Sequence, residues 1–441
     1  MINIPYEIKL ILSKLRENGH EAYIIGGCVR DSILGNTPKD YDVTTSALPH
    51  ETERVFRDHR VIETGLKHGT VTVLVNKMPV EITTYRIDSD YSDNRRPDSV
   101  TFTKNLEEDT SRRDFTMNAI AIDEFGNIKD FHGGVDDIEN KIIRCVGDPD
   151  KRFSEDALRI LRAIRFSSVL GFDIEENTRS AIFSNKELLQ NISRERIASE
   201  FIKLLCGQNA RKVITEYIDV IGVFIPEALP MKGFDQRNYH HIYDILEHTA
   251  AAVDNTPNEP ILRLAAFLHD IGKPSTFTIK DDIGHFYGHA AVSAQMSREI
   301  LNRLKFDNYT KDTVIKLVKL HDGQISETET AVKRFMNKHS PEIFFMLLDL
   351  KRADNLAQAP QYHIRTEMLA GLRAIGEDII NREECFSLKQ LAINGKDLIE
   401  IGYTPGRDIG ECLNYLLEEV INQHTDNNKE SLLQLAKIRL Q

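Results

Sequence analysis

The sequence lacks the apolar segments that mark membrane and secreted proteins. Its hydrophobic runs all fall short of the ~18 residues that a membrane-spanning helix needs. Met1–Arg16 is amphipathic where a signal peptide would carry an apolar core. We therefore expect a protein without a membrane partner that is located in the cytoplasm.

Cysteine and positive charge are also scarce. The five cysteines lie far apart and form no Cys-x-x-Cys pair, which argues for a reducing compartment and against a disulfide framework or a thiolate zinc site. With 56 basic and 68 acidic side chains the net charge is −12, which argues against a protein that coats DNA non-specifically. RNA recognised through its shape and local basic patches is compatible with this balance.

The organisation of the chain changes near residue 150. At 441 residues the chain is long enough for about two to four domains. Strand and helix signals mix in the first part, and helical spacing dominates afterwards. We predict an α+β fold: a head with a mixed sheet and helices (1–145), an all-α neck (146–228), a helical body (229–360) and a helical tail (361–441). The strongest local signals are hairpins at 70–86 and 118–131 and helices at 153–169, 194–205, 242–253, 261–270 and 291–304.

A glycine pair follows the first apolar run of the head. Residues 22–25 predict a strand that runs into Gly26-Gly27 and then into a helix. Glycine lets the backbone approach a phosphate, and the amides at a helix N-terminus bind anions. Arg30, one turn into the helix, could hold a phosphate oxygen. The alternative is that the glycines form only a turn.

Two aspartates follow shortly afterwards. Asp40 and Asp42 would point to one side of a strand, and two like charges so close are costly unless a cation lies between them. Mg²⁺ prefers carboxylates together with substrate phosphates. Glu81, on the second strand of the first hairpin, could add a third carboxylate. Two divalent ions on such a triad fit in-line attack on a nucleoside triphosphate, and a solvated loop is the alternative.

The segment 154–166 predicts an amphipathic helix with an unusual polar face. Asp156, Arg159, Arg162 and Arg165 recur every three residues and make a surface suited to a polyanion. Asp156 can accept and Arg159 can donate hydrogen bonds, so the two could pair with C or A. The carbonyl of U or G would leave a buried acceptor unpaired. A surface ion pair is the alternative.

Histidines and aspartates of the body form a second candidate site. His269-Asp270 ends an apolar helix, where a buried aspartate is costly without a partner or a metal ion. The other members of the set lie on predicted helices or close to them: His248, His289, His321 and Asp354. Each of these residues alone could be a structural histidine or a surface acid, so the hypothesis of a metal site depends on the whole set.

Three motifs together resemble one enzyme family. Gly-Gly-x-Val-Arg-Asp-x-Ile-Leu-Gly at residues 26–35, Asp-x-Asp at 40–42 and Arg-Arg-Asp-Phe-Thr-Met-Asn-Ala at 112–119 resemble the bacterial class II tRNA CCA-adding enzymes and their poly(A) polymerase relatives. Residues 86–97 resemble the flexible loop of that family, thought necessary for adding the terminal A. Glu-Asp-x-x-Arg at 155–159 is similar to the amino-acid template for CTP and ATP.

The resemblance implies an activity and a set of site residues. It implies a Mg²⁺-dependent nucleotidyltransferase that adds C, C and A to the 3′ end of tRNA from CTP and ATP, without a nucleic-acid template. Asp40, Asp42 and Glu81 would be the catalytic carboxylates, with Mg²⁺ on Asp40 and Asp42. The nucleotide-binding residues would be Gly26, Gly27, Arg30, Arg112, Arg113, Asp156, Arg159, Arg162 and Arg165. Alternatively, Arg112 and Arg113 form salt bridges with acidic residues among 107–109.

The histidine set resembles the HD phosphohydrolase superfamily. His248, His269, Asp270 and Asp354 are similar to its four-ligand pattern, and His289 and His321 match the extra histidines of its two-metal branch. The body would thus be an HD-type domain with a transition metal and an additional phosphohydrolase activity, and Lys273 could assist a phosphate. The tail is similar to the family's tRNA-binding tail.

Other activities are open alternatives. An A-adding enzyme fits the same motifs. A poly(A) polymerase is less compatible, because Thr64–Gly69 stands where those relatives carry Gly-Arg-Arg-Phe. An HD phosphohydrolase with a vestigial head would be expected to have lost some of the motif residues, and none is lost. The oligomeric state is not readable from the sequence.

Overall fold

The computed structural model describes residues 4–88, 99–239 and 242–440. The chain divides into two compact units, Met1–Leu229 and Pro230–Gln441, and each is described by itself. The finer division into head, neck, body and tail stays a prediction. Most of the predicted flexible loop, residues 89–97 of 86–97, lies outside the described residues.

The first unit combines a sheet with helices. Its helices are α1 (Tyr6–Glu17), α2 (Gly27–Ile33), α3 (Pro49–Val55), α4 (Leu106–Ser111), α5 (Gly134–Glu139), α6 (Pro149–Glu155), α7 (Leu158–Leu170), α8 (Glu176–Asn185), α9 (Arg194–Leu205), α10 (Ala210–Glu216) and α11 (Ile218–Ile221). Its strands are β1 (Ala22–Ile25), β2 (Asp42–Thr45), β3 (Arg60–Gly65), β4 (Thr70–Val75), β5 (Met78–Thr84), β6 (Arg86–Asp88), β7 (Val100–Phe102), β8 (Ala121–Ile122), β9 (Ile128–Lys129), β10 (Ile142–Ile143) and β11 (Asp173–Ile174).

Seven of these strands form one mixed sheet in the order β3-β4-β5-β2-β1-β8-β9. Strand β2 is parallel to β5 and antiparallel to β1, so the head is α+β as expected. The alternation of branched residues in Thr70–Val75 explains the strand, because Val71, Val73 and Val75 are buried. The parallel β2–β5 pair brings the start of β2 beside the middle of β5, where the candidate carboxylates lie.

Both predicted hairpins are present, with shorter turns or strands than expected. Asn76 and Lys77 alone form the turn of the first hairpin, and both have positive φ (49° and 71°). Such two-residue turns match the twist of antiparallel strands. The predicted turn also included Met78 and Pro79, but both pair in β5 with β4. The second hairpin is reduced to the two-residue strands β8 and β9.

The predicted continuous helix 153–169 is wrong, because the chain breaks between α6 and α7. Asp156 has an extended backbone (φ −133°, ψ 101°), and its Oδ1 accepts a hydrogen bond from Leu158 N at 3.1 Å. Aspartate favours this local bond over the helix interior. The predicted amphipathic character is present, because the apolar residues Ala157, Ile160, Leu161 and Ile164 are at most 1% exposed.

The second unit is helical apart from one small hairpin. Its helices are α12 (Ile245–Asn255), α13 (Pro260–Leu268), α14 (Lys273–Thr276), α15 (His289–Arg303), α16 (Asn308–Leu320), α17 (Glu329–His339), α18 (Pro341–Leu356), α19 (Arg365–Asn381), α20 (Gly395–Glu400), α21 (Arg407–Ile421) and α22 (Lys429–Leu440). Strands β12 (Thr278–Lys280) and β13 (Ile283–His285) pair antiparallel around Asp281-Asp282.

The short strands after residue 140 were not predicted. Strands β10 and β11 contain two residues each, and β12 is exposed along its whole length. Such strands show no alternation of buried and exposed positions, so the periodicity of the sequence carries no signal for them. The predicted helix 194–205 is confirmed as α9. The three predicted helices of the body are present as α12, α13 and α15, whose ends lie up to three residues from the predicted ends. No helix of the described residues combines the length and apolarity that crossing a membrane requires.

Candidate functional site

The candidate carboxylates of the head meet across the parallel strand pair. Asp42, the first residue of β2, is in register with Glu81 of β5. Asp40 precedes β2, so the expectation that Asp40 and Asp42 lie on one strand is wrong. Burial raises the pKa of Asp42, Arg113 opposes the rise, and the charges of Glu81 and Asp40 add to it. The site therefore combines hard oxygen ligands with an excess of negative charge, which favours a divalent cation.

The glycine turn lies against this carboxylate. Gly26 has φ +88°, and a Cβ built on it would lie 3.5 Å from both Asp42 Oδ2 and Arg113 Nη1. The positive φ would strain any side chain there, and its Cβ would be in van der Waals contact with both groups. Arg113 Nε is buried and has no hydrogen-bond acceptor among the described residues. A carboxylate and an unsatisfied guanidinium thus lie at one backbone turn.

Arg30 is held firmly beneath the turn. It is buried, and its Nη1 donates to Asn118 Oδ1 at 2.8 Å while its Nε and Nη2 donate to Asp31 Oδ1 at 2.9 and 2.8 Å. Gly27 begins α2, and a Cβ there would lie 3.5 Å from Arg30 Nη2. The structure thus brings Gly27 and Arg30 together.

Asp109 organises the arginine pair. It is fully buried; Arg112 donates to its Oδ1 at 3.0 and 2.8 Å, Thr44 donates to its Oδ2 at 3.0 Å, and Arg113 Nη2 lies 3.7 Å away. Burial by itself would raise the pKa of Asp109, but Arg112 and Arg113 lower it overall. Among the acidic residues 107–109, Asp109 forms salt bridges with Arg112 and Arg113, the alternative role given for these arginines above. Its position three residues before Arg112 is the sequence signal that could have singled it out.

Asp156 is paired with an arginine that the sequence analysis missed. Arg196 of α9 donates from Nη2 to Asp156 Oδ2 at 3.0 Å and from Nη1 to Oδ1 at 3.5 Å. The two residues are 40 positions apart in the chain, so no local pattern connects them.

Arg159 is held by neighbours of its own. Its Nη1 donates to Glu155 Oε2 at 2.7 Å, and its Nη2 donates to the carbonyl of Arg112 at 3.0 Å. Because Asp156 precedes α7, it does not share a continuous helix face with Arg159, as the sequence pattern had suggested. Each member of the predicted base-selecting pair is therefore held by an opposite charge.

Arg162 and Arg165 each bind a buried acid. Arg162 donates to Asp114 Oδ2 at 2.8 and 2.5 Å, and Arg165 Nε donates to Glu200 Oε2 at 2.7 Å. Burial would raise the pKa of Asp114, but the charge and hydrogen bonds of Arg162 lower it to about 2. These acids leave less free positive charge on α7 than the sequence suggests.

Phe166, another residue that sequence reasoning missed, supports three of the candidate arginines. The guanidinium carbons of Arg30, Arg162 and Arg165 lie 5.0, 5.4 and 3.6 Å from its ring centroid. Guanidinium groups are attracted to the face of an aromatic ring at such distances. Arg30 from α2 and the arginines of α7 are thereby gathered on one ring.

The predicted His–Asp residues come together in the second unit. His248 Nε2 lies 3.0 Å from Asp354 Oδ1 and 3.4 Å from Asp270 Oδ2, and His269 Nε2 lies 3.2 Å from the same Asp270 oxygen. Helices α12, α13 and α18 pack on one another and bring these four residues to one place. All but Asp354 are buried.

The other two histidines face the opposite oxygen of Asp270. His289 Nε2 lies 3.4 Å and His321 Nε2 3.6 Å from Asp270 Oδ1, and the two Nε2 atoms are 3.2 Å apart. Lys273 Nζ lies 2.7 Å from Asp270 Oδ2. Asp270 is therefore the central residue of what we call the His–Asp cluster: His248, His269, Asp270, His289, His321 and Asp354.

All four histidines of the cluster are oriented in the same way. Their Nδ1 atoms contact backbone carbonyls of Ala357 (3.3 Å), Ala266 (2.7 Å), Phe286 (2.8 Å) and Val318 (2.7 Å), for His248, His269, His289 and His321 in that order. Every Nε2 atom points toward the aspartates. A backbone carbonyl on one ring nitrogen fixes the tautomer that leaves the other nitrogen as a metal ligand. The residues present thus fit a metal ion.

Neighbouring opposite charges shift pKa values within the cluster. Burial would lower the pKa of His269, but Asp270 and Asp354 raise it to about 10. Burial would raise the pKa of Asp270, but His269 and Lys273 hold it well below its usual range. Tight groups of three potential ligands occur in the described residues only in this cluster, so the carboxylates of the head do not form one.

Three family profiles match the chain. The profile described as "Poly A polymerase head domain" matches residues 22–144, "Probable RNA and SrmB- binding site of polymerase A" matches 171–220, and "tRNA nucleotidyltransferase domain 2 putative" matches 285–436. The first covers the glycine turn, the head carboxylates and the Arg-Arg pair. The third covers part of the His–Asp cluster and the tail.

Known proteins are similar over almost the whole chain. A CCA-adding enzyme of Ligilactobacillus salivarius is 36% identical over 440 residues, which cover 99% of this chain and 97% of that protein. The crystal structure of the Bacillus stearothermophilus CCA-adding enzyme in complex with CTP has a TM-score of 0.74 and 31% identity, covering 98% and 97% of the two chains. The Thermotoga maritima CCA-adding enzyme complexed with tRNA (TM-score 0.60, 21% identity, covering 98% and 94%) has a similar fold.

Proposed function

The chain belongs to the family of CCA-adding enzymes, which are nucleotidyltransferases, and from that premise we propose that it adds C, C and A in turn to the 3′ end of tRNA. The substrates are CTP and ATP, and no nucleic-acid template is used. We also propose that it acts in the cytoplasm. One observation supports the proposal above all: the backbone of Gly26 lies against both Asp42 and Arg113.

The head carboxylates would hold the metal ion. Members of this family generally use a divalent metal, and we assign Mg²⁺ to Asp40 and Asp42, with Glu81 beside them. When bound, the ion would neutralise triphosphate charge and polarise the α-phosphate. The 3′-hydroxyl oxygen of tRNA attacks the α-phosphorus and loses its proton to water, the bond from the α-phosphorus to the bridging oxygen breaks, and pyrophosphate leaves.

The arginines around the glycine turn would bind the triphosphate. The guanidinium of Arg113 has its Nη1 beside Gly26 and an unsatisfied Nε, and a triphosphate oxygen would satisfy such a donor. Arg112 and Arg30 are fixed by Asp109, Asp31 and Asn118, so they lose little side-chain entropy on binding. The amides of Gly26 and Gly27, together with Arg162 and Arg165, complete the set that we assign to the nucleotide.

Asp156 and Arg159 would select the base. C and A both present an exocyclic amino donor beside a ring-nitrogen acceptor. The carboxylate oxygens of Asp156 accept hydrogen bonds, and the guanidinium of Arg159 only donates them. A carbonyl in place of the amino group, as in U and G, would meet the carboxylate as a second acceptor.

End-sequencing of tRNA products tests the proposal. The purified chain would receive transcripts that lack CCA or that end in C or CC, with Mg²⁺, CTP and ATP. We expect each transcript to end in CCA and to grow no further. Extension of the CC-ended transcript alone would identify an A-adding enzyme, and a long A run a poly(A) polymerase.

The metal role has its own variant test. Asp42→Ala should abolish addition of both nucleotides while tRNA binding persists, and Asp58→Ala, an exposed aspartate of the head, is the matched control. Full incorporation by Asp42→Ala would contradict the role of Asp42. Loss of activity in the control as well would point to damage of the fold.

The His–Asp cluster supports a second function. We propose that it binds transition-metal ions and hydrolyses phosphoesters. The shared orientation of the four Nε2 atoms supports a metal site, and Asp270, with histidines on both of its oxygens, suits two ions. Metal ions there would activate a water molecule, and Lys273, buried at 2.7 Å from Asp270, would be available to a substrate phosphate.

Metal analysis and hydrolysis assays test this second function together. The chain should bind Co²⁺, Mn²⁺ or Ni²⁺ and release phosphate from a panel of phosphomonoesters and cyclic phosphodiesters. Asp270→Ala should lose both properties, and Asp312→Ala, exposed on α16, should keep both. Binding without hydrolysis would leave a structural metal site, and no binding would contradict the proposal.

A further inference from the structure

Two cavities border the His–Asp cluster. The larger has a volume of about 390 Å³ and the smaller about 300 Å³, and both are lined by His321, Asp322, Asp354 and Gln358. His321 and Asp354 belong to the cluster, so each cavity ends at candidate metal ligands. The smaller cavity is also lined by Lys273, and we assign it to the phosphate and water of the second proposed function. The larger one has no role in either proposed activity.

The larger cavity combines an apolar floor with amide side chains. Leu369 and Leu372 are buried in it, and Met368 lies at its edge with 37% exposure. Its polar lining includes the amides of Gln324 and Asn355. A flat heteroaromatic ring needs this pairing of apolar contact and hydrogen-bonding edge, and the volume is in the range of small-molecule pockets.

Asn355 has an unused acceptor. The residue is 3% exposed, and its Nδ2 donates to Tyr362 O at 3.1 Å and contacts Gln358 Oε1 at 3.3 Å. Its Oδ1 is buried and accepts no hydrogen bond among the described residues. Buried polar atoms of native proteins rarely stay unpaired. Asn355 itself lines the cavity, so an amide that turns toward the cavity would let an amino or ring N–H donor of a bound base satisfy this oxygen.

Arg365 gives the same cavity a positive charge. It is the first residue of α19, is exposed and lines the cavity, and no described carboxylate lies within 4 Å of it. Lys351, also in the lining, is by contrast hydrogen-bonded to the carbonyls of His321 and Gly323. Arg365 is thus a cation available to an anionic ligand.

We propose that the larger cavity binds the nucleoside part of a nucleotide whose phosphate lies at the His–Asp cluster. The inference rests on the second proposed function, which fixes the end of the cavity that receives the phosphate. The base would lie on Leu369 and Leu372 and bond to Asn355, and Arg365 would contact a phosphate or ribose oxygen. The nucleotide could be free or the 3′-terminal residue of an RNA, and the chemistry recognised is the same.

The absence of tryptophan from the sequence allows a reporter at this cavity alone. Met368→Trp places the single indole at the edge of the cavity, and Gln324→Trp, also exposed, places it on another wall. We expect AMP to quench the fluorescence of both variants saturably. Phe125→Trp, exposed in the head, is the control that should not respond. A short RNA oligonucleotide, in a separate titration, distinguishes an RNA end from a free nucleotide.

Second-site variants and smaller probes make the test selective. Arg365→Ala in the Met368→Trp background should weaken AMP binding about tenfold, and Arg352→Ala, exposed on α18, should leave it unchanged. Ribose 5-phosphate and inorganic phosphate should bind much more weakly than AMP. Equal quenching by all three would overturn the nucleoside assignment, and no quenching in either cavity reporter would overturn the site.

Metal binding is measured separately on the same variants. Co²⁺ titration followed by visible absorbance reports on the His–Asp cluster and does not depend on the tryptophan signal. Co²⁺ binding without any AMP response contradicts the nucleoside site and leaves the metal proposal intact. An AMP response without Co²⁺ binding keeps the nucleoside site and contradicts the metal proposal. Hydrolysis need not occur for either result.

Discussion

Arg196 bears directly on how Asp156 would discriminate between bases. The guanidinium binds both oxygens of the carboxylate, at 3.0 and 3.5 Å, so it fixes their direction. Carboxylate oxygens held in this direction would accept from the amino group of C or A and would meet the carbonyl of U or G as a second acceptor. Selection therefore depends on a residue that need not touch the base.

Arg196→Ala should relax nucleotide selection. We expect misincorporation of UTP or GTP from a mixed pool to rise about tenfold, which corresponds to about 1.4 kcal/mol of lost discrimination, with a smaller change in the rate with CTP. Sequencing of the products measures it. Arg196→Lys should restore part of the selectivity, and Arg194→Ala on the same helix is the control. Unchanged selectivity with a uniformly lower rate would mean that Arg196 has a structural role only.

Asp114 gives a prediction on stability and pH. Its pKa of about 2 in the folded chain lies below the usual ~3.9, so its contribution is complete above about pH 5 and is lost as the pH falls through about 2. Asp114→Asn should lower the free energy of unfolding by about 2 kcal/mol at pH 7 and by about half as much near pH 3. Urea unfolding at the two pH values measures the difference, with Asp58→Asn as control. An equal loss at both values would contradict the ion-pair origin.

Individual residues were predictable from the sequence where a motif names them. Asp40 and Asp42, the Arg-Arg pair and His269-Asp270 are short motifs of neighbouring residues, and the other members of the His–Asp cluster were named only by the resemblance. The structure brings the six residues of the His–Asp cluster to one place. Arg196 and Phe166 belong to no such motif, because their importance comes from contacts with distant parts of the chain. Pairings like Arg162 with Asp114 depend on packing that a single sequence does not display.

At the scale of elements, periodicity predicted long buried structure well and short or interrupted structure poorly. Helix α9 and the core hairpin of β4 and β5 repeat a buried pattern over many residues. The periodicity of apolar residues does not reveal the break before α7, because the period continues through the break. The backbone leaves the helix there because Asp156 Oδ1 accepts a hydrogen bond from Leu158 N. A side chain that competes with the helix backbone leaves no trace in hydrophobic spacing.

The contact between α7 and the segment after α9 gives an element-scale prediction. A Cβ on Gly207 would lie 2.5 Å from backbone atoms of Ser168. Ser168 lies two residues before the C-terminal end of α7. Gly207→Ala must therefore shift one segment against the other, at a cost of about 1–3 kcal/mol. Gly410→Ala, in open space within α21, should be neutral or slightly stabilising. Thermal unfolding compares the two, and equal stability would mean that the contact relaxes without cost.

At the scale of the whole molecule, the two proposed activities lie in different compact units. The nucleotide site uses residues of Met1–Leu229, and the His–Asp cluster uses residues of Pro230–Gln441. Each unit has buried hydrophobic side chains of its own. A ligand that binds only the native state stabilises the unit that holds its site.

Calorimetry of the full chain should therefore show two transitions that respond to different ligands. CTP with Mg²⁺ should raise the midpoint temperature of one transition, and Co²⁺ should raise that of the other. Each ligand at a hundredfold excess over its Kd should stabilise its unit by about 2.7 kcal/mol. Asp42→Ala should remove only the first response and Asp270→Ala only the second, so each variant is the control for the other. One transition that either ligand shifts would mean that the units unfold together, and a Co²⁺ response that survives Asp270→Ala would move the metal away from the His–Asp cluster.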